Sequence, residues 1–315
     1  MDTKNDVYKK LALHLDQMPI AFPSTESEVE LRILRHFFTP EEAEIALYLS
    51  AMPESADKIY RRIKKTGISR ETLEQTLDGL VSKGSILGGK LFQDKGKKKY
   101  YSKAHLAVGM YEFQVNRLTR KLVDDMGQYT DEAYAEAFIT PRTSQLKTIP
   151  IESSFTPEHN VATYDDIRQL VMETAGKIAV YNCVCKQENI ILGKACKKTE
   201  RQEICIGFNA EYWHSNYFAE VKAEDCSGCK RCQKRCSMEA ISIEENVSSV
   251  NLERCIGCGL CTSSCKTQAI KLKKKTRETV PAKDQFSLYR KIMLERLKPF
   301  DRLKMLGKVM IGSKI

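Results

Sequence analysis

Twelve cysteines in this chain of 315 residues all fall between Cys183 and Cys265, and eight of them form two matched runs. The first run is Cys226, Cys229, Cys232 and Cys236; the second is Cys255, Cys258, Cys261 and Cys265. Each reads C-x2-C-x2-C-x3-C, and a constant offset of 29 residues relates them, so that Ala240-Ile241 answers Ala269-Ile270. Sulfur-bearing and apolar positions that keep register in this way mean one folded unit used twice. Structural zinc sites arrive mostly as two separated C-x2-C pairs rather than four cysteines in one short run. Disulfides need an oxidising compartment, and the N-terminus, with Asp2, Lys4, Asn5 and Asp6, lacks the apolar core of a secretory signal.

The two runs resemble bacterial-type ferredoxins with two [4Fe–4S] clusters. In that spacing three cysteines of a run hold one cluster and the fourth reaches across to the other. The resemblance therefore implies one cluster on Cys226, Cys229, Cys232 and Cys265, and a second on Cys255, Cys258, Cys261 and Cys236. Each run should be a loop leading into a short helix and then a strand, at residues 241–243 and 270–272. Gly228, Gly257 and Gly259 let the backbone pass close to a cluster and aim N–H groups at sulfur. Ile241, Ile243, Val250, Leu252, Ile256, Ile270 and Leu272 are expected to form a dry wall. The chain departs from the usual pattern where Pro commonly follows the fourth cysteine. Ser237 and Lys266 stand there instead, a change that wets the sulfurs and bears on reduction potential more than on assembly.

The other four cysteines, Cys183, Cys185, Cys196 and Cys205, follow an apolar stretch at residues 178–181 that reads as a buried strand. On an extended chain the side chains of a C-x-C point oppositely, so the backbone must turn at Val184 for both to reach one metal. A third [4Fe–4S] cluster, a zinc ion, and reduced structural or redox-active thiols are the three readings of this group. Residues 183–208 are similar to a block in ferredoxin-like proteins of anaerobic bacteria and archaea. Members of that family join an N-terminal winged helix, this block and a C-terminal dicluster domain. Longer members carry extra sequence between the two cysteine regions, where this chain has only residues 206–225.

Residues 39–102 read as a winged helix-turn-helix. Thr39-Pro40-Glu41-Glu42 is a capping box opening a helix; a second helix follows Ser55 and closes at Gly67; a third runs from Ser69 to Gly84. A hairpin around Asp94-Lys95-Gly96 is the wing. The third helix exposes Arg70, Glu71, Glu74, Gln75, Asp78 and Lys83, a poor surface for phosphates, so a docking role is favoured over DNA binding. Tyr111, Val115, Leu118 and Leu122 have the spacing of one amphipathic helix. Residues 140–158 form a linker, and a helix from Thr163 leads to the strand before Cys183.

The expected class is α+β, with a winged helix at 1–102, a helical connector at 103–150, a cysteine-rich middle domain at 151–225, a ferredoxin-like (βαβ)2 dicluster domain at 226–275 and a basic amphipathic tail at 276–315. Net charge is +10, but the excess of Lys and Arg falls after Cys226. Lys230, Arg231, Lys234, Arg235, Lys266 and Lys271 offset cluster charge and form a rim for an acidic redox partner, or serve as ordinary solubilising charge. After a polar linker at residues 273–283, Phe286, Tyr289, Ile292, Met293, Leu297, Phe300, Leu303 and Leu306 suit a helix pair that folds back on the body; a partner or an anionic membrane surface is the alternative. No apolar run reaches the length of a transmembrane helix, and a reducing, cytoplasmic setting is expected. His14, His36, His105, His159 and His214 show no ligand spacing, and no Gly-rich nucleotide loop or nucleophile arrangement is present. These features imply an iron–sulfur electron-transfer protein or accessory subunit of an oxidoreductase, without catalysis of its own. The alternative is a redox-sensing transcription regulator that uses the winged helix.

Overall fold

The computed structural model describes residues 3–90, 98–143, 145, 171–172, 179–195, 200–207, 216–276, 285–298 and 301. Helix α1 (Thr3–Asp16) packs on α2 (Val29–Phe37) and α3 (Pro40–Ala46), burying Leu11, Ile33, Leu34 and Ala43. Thr39 opens α3 with a reciprocal cap: its hydroxyl accepts from the Glu42 N–H (3.3 Å), and the Glu42 carboxylate accepts from the Thr39 N–H (2.8 Å). Such a cap contributes about 1 kcal/mol. Strand β1 (Glu54–Ser55) leads into α4 (Ala56–Ile63) and a 3-10 turn closed by Gly67. Helix α5 (Arg70–Lys83) starts at Ser69, which accepts from the Thr72 N–H (3.0 Å), and buries Leu73, Leu77 and Leu80. Gly84 stops it at φ 75°, where a Cβ would also meet the Phe113 Cβ at 2.4 Å, so angle and space both demand glycine.

Strands β2 (Ile86–Lys90) and β3 (Lys99–Lys103) pair antiparallel from Ile86↔Lys103 to Lys90↔Lys99. β1 adds to the other side of β3, giving the order β1-β3-β2. The tip at Asp94-Lys95-Gly96 lies outside the described residues.

The spacing from Tyr111 to Leu122 predicts one helix, and the structure corrects this. A 3-10 turn spans Glu112–Gln114, Asn116 takes a left-handed φ of 66°, and Thr119 restarts the chain as α6 (Arg120–Tyr129) by accepting from the Leu122 N–H. A right-handed helix cannot pass through such a residue. Tyr111 and Leu122 are still buried in one core, with Leu118 packed against it. The expected connector is thus a set of turns followed by α6 and α7 (Ala135–Ile139). Asp125 ties α6 to α2, accepting from Arg32 (2.9 Å) and sitting 3.0 Å from His36 Nε2. Burial opposes its charge, but those two partners outweigh it and hold the carboxyl below the usual range.

Strands β4 (Ala179–Asn182) and β5 (Glu203–Gly207) form an antiparallel ribbon, and α8 (Val184–Ile191) follows β4. Gln187 of α8 accepts from the Asn116 N–H (2.7 Å) and donates to the Asn116 carbonyl oxygen of the side chain (2.6 Å), while Val184 joins the N-terminal core. The helix expected from Thr163 lies outside the described residues.

The last third has its own small core. β6 (Tyr217–Val221), α9 (Arg231–Arg235) and β7 (Ile241–Glu244) make one half. β8 (Val247–Val250), a 3-10 turn at Thr262–Ser264 and β9 (Ile270–Lys274) make the other. β7 pairs with β8 and β6 with β9, both antiparallel. Glu245 and Asn246 join β7 to β8 with φ of 47° and 63°, the two left-handed residues of a tight hairpin. The polar linker expected from residue 273 starts later, because β9 stays paired through Lys274↔Tyr217.

Helix α10 (Gln285–Arg296) returns to the N-terminal body, with Leu288 and Ile292 buried in the same core as α1 to α5. Tyr289 lies tilted against His105 at 4.1 Å between ring centroids, and Glu295 accepts from the Thr143 N–H and hydroxyl (2.9 and 2.6 Å). Phe300, Leu303 and Leu306 lie outside the described residues. Among the described residues no helix is long and apolar enough to cross a membrane.

Candidate metal centres

The two runs of cysteines enclose two cavities. One is lined by Cys226, Cys229, Cys232 and Cys265. The other is lined by Cys236, Cys255, Cys258 and Cys261. In each, three cysteines come from one run and the fourth crosses from the other. The crossing follows from the pairing of β6 with β9 and β7 with β8, which sets the end of each run beside the start of its twin. Among the described residues no three His, Cys, Asp or Glu side chains converge closely enough to hold a single metal ion. The thiols ring a volume instead, which fits a polynuclear iron–sulfur core better than one zinc ion.

The loops that carry these sulfurs depend on unusual backbone angles. Gly228 has φ 62°, and a Cβ there would lie 2.6 Å from the Asn246 carbonyl oxygen. Gly257 and Gly259 have φ 64° and 76°, and Lys230, the counterpart of Gly259, adopts 61° despite its side chain. Main-chain donors then reach the sulfurs. The Ala240 N–H lies 3.3 Å from Cys236 Sγ and the Ser248 N–H 3.5 Å from Cys226 Sγ. The Ser248 hydroxyl lies 3.1 Å from Cys232 Sγ, and the Thr267 hydroxyl 3.5 Å from Cys265 Sγ.

The thiols respond to these surroundings. N–H groups of Gly228 and Ser248 pull Cys226 below the ordinary thiol range. Burial works against the Cys265 thiolate, but Thr267 and nearby N–H groups outweigh it and lower its pKa. Burial raises Cys258, and pushes Cys261 up to about 12. A bound metal overrides such values by removing the proton outright.

The apolar wall is present with two corrections: Ile243 lines neither cavity, and Leu252 turns outward. Ile241, Ile270 and Leu272 are buried and Ile243, Val250 and Ile256 half-buried, but Leu252 is 59% exposed. β8 ends at Val250, and the Asn251 side chain accepts from the Glu253 and Arg254 N–H groups (2.9 and 3.2 Å), so the alternation that would bury Leu252 stops. Ser248 and Thr267 went unmarked in the sequence. Their signal lay in the repeat: the offset of 29 places Ser248 opposite Ala219, and Thr267 opposite Met238.

Three of the remaining cysteines meet at the junction of β4, β5 and α8. The strand ends at Asn182, Cys183 stands before the first residue of the helix, and the backbone turns at Val184. Cys183 is buried and its N–H donates to the Gln202 carbonyl (2.9 Å); Cys205 lies on β5 opposite Tyr181. Hydrogen bonds from Cys185 and Cys205 hold the Cys183 thiol well below its ordinary range, while Cys185, which donates to it, is driven up. Cys196 lies outside the described residues, as do Trp213 and His214.

Residues 225–270 match the family of 4Fe-4S dicluster domains. No curated protein and no solved structure matches the chain. An iron–sulfur, ferredoxin-like domain therefore occupies this part of the chain, within a mixed α+β protein.

Proposed function

We propose that this chain is an electron-transfer protein, or an accessory subunit of an oxidoreductase, holding one [4Fe–4S] cluster on Cys226, Cys229, Cys232 and Cys265 and another on Cys236, Cys255, Cys258 and Cys261. The observation that carries it is the division of eight thiols into two cavities of four, each completed by the opposite run. When bound, such clusters take up and release one electron at a time. The chain supplies the sulfurs, the N–H groups aimed at them and the apolar wall that keeps water and oxygen off. One electron arrives from a reduced donor protein and leaves to an oxidised acceptor protein, with no bond made or broken. Exposed Lys230, Arg231, Lys234 and Arg235 beside the first cavity suit an acidic partner.

Cys183, Cys185, Cys196 and Cys205 are proposed as a further metal site, for a third [4Fe–4S] cluster or zinc; the hydrogen bonds from Cys185 and Cys205 to Cys183 support their proximity, although the described three do not by themselves converge on a single ion. We read residues 39–102 as a winged helix used for docking. Several of its described basic side chains are held by acids, Arg70 by Asp57 (2.8 Å), Lys99 by Asp78 (2.6 Å) and Lys83 by Glu42 (2.6 Å), which supports docking over DNA binding. Oxygen-free protein should become paramagnetic after dithionite and pass its electrons to a one-electron acceptor, and it should leave duplex DNA unshifted in both redox states. A diamagnetic protein after dithionite would overturn the carrier. Salt-dependent DNA binding that changes with redox state would establish the regulator instead.

A further inference from the structure

The offset of 29 residues that relates the two runs also relates the walls of their cavities, and there the halves differ in one direction. Ser248 in the first cavity answers Ala219 in the second, and Arg231 answers Leu260. Ser227 answers Ile256, and Thr267 answers Met238. Each change puts a polar group at the first cavity and an apolar one at the second. The contacts follow suit. A metal-bound thiolate has no proton, so the hydroxyls of Ser248, 3.1 Å from Cys232 Sγ, and Thr267, 3.5 Å from Cys265 Sγ, act there as donors. Cys236 in the second cavity takes a main-chain N–H from Ala240. Solvent and charge add to the contrast. Cys229 is exposed where its counterpart Cys258 is half-buried, and Lys234 and Arg235 stand where the other half has Ser263 and Ser264.

We infer that the two sites are unequal: Ser248, Thr267 and Arg231 give the site of Cys226, Cys229, Cys232 and Cys265 the higher reduction potential, while Ala219, Ile256 and Leu260 keep the other low. This rests on the two-cluster reading proposed above. Reduction adds one negative charge to a site, taken from a one-electron donor protein and later passed to a one-electron acceptor protein. Donors to sulfur and a nearby cation stabilise that charge, and a dry apolar wall opposes it. An electron entering at the second site therefore moves to the first, beside basic α9, and leaves from there.

The test is a redox titration of the full anaerobic chain, followed by electron paramagnetic resonance, after iron per chain has been measured. The first electron should prefer one site at least tenfold, a separation of about 59 mV or more for a one-electron couple. Ser248→Ala and Arg231→Leu, each installing the residue of the opposite half, should lower the upper potential and leave the lower one in place. Ala219→Ser should raise the lower potential, and it keeps the test alive where an altered first site loads poorly. A chain without iron sinks both the two-cluster reading and this inference. A fully loaded chain whose sites titrate together, or in which Ser248→Ala moves the lower potential, overturns the inference alone.

Discussion

His105 is buried against Tyr289, and its Nδ1 meets no hydrogen-bond partner among the described residues. Burial, helped by the nearby charge of Lys103, lowers its pKa from 6.5 to about 3. The unfolded chain binds a proton on this ring below its ordinary value while the folded chain refuses it. Stability therefore falls as pH drops from about 6.5 towards 3, by up to about 1.4 kcal/mol per pH unit. His105→Phe keeps a ring against Tyr289 and removes the proton site. Thermal unfolding followed by circular dichroism at pH 7.5 and 5.5 should show a larger loss of midpoint in the parent than in the variant, and equal losses would contradict this assignment. The grouping of the cysteines that line the two cavities was legible in the sequence because their spacing has few other uses. His105 was not, since nothing local marks a histidine that a helix from the far end of the chain will cover. Leu252 misled for a related reason: its alternation with Val250 is real, but Asn251 turns the backbone between them.

Among the elements, those begun by a polar cap and ended by glycine could be read directly. Thr39, Ser69 and Gly84 act where the sequence places them. The strip from Tyr111 to Leu122 could not, because periodicity records which residues become buried and carries no sign of the break at Asn116. β6 also escaped notice: it is five residues long and its partner β9 lies far along the chain. The amphipathic pattern of the tail was legible, whereas its destination was a matter of tertiary packing. Helix α10 places Ile292, fully buried, in the N-terminal core. Ile292→Ala should cost about 2–5 kcal/mol. The midpoint of the helical body should drop while iron per chain stays unchanged. Unaltered unfolding with lost iron would place α10 against the iron–sulfur unit instead.

At the scale of the whole molecule, two cores are linked by a thiol-bearing junction. The larger gathers α1 to α6, the head of α8 and α10; the smaller holds the two cavities. Charge divides along the sequence rather than between the cores: the first 225 residues are near balance, and the basic excess is shared between the cysteine-bearing unit and the segment after residue 275. The repeat made the smaller unit legible before any strand could be assigned, since sulfur spacing fixes which ends must meet. Iron, acid-labile sulfide and zinc counted on the oxygen-free full chain test this account most directly. About eight irons and eight sulfides per chain are expected from the two cavities, and about twelve of each if the junction also carries a cluster. A folded chain with stoichiometric zinc and no sulfide would contradict it.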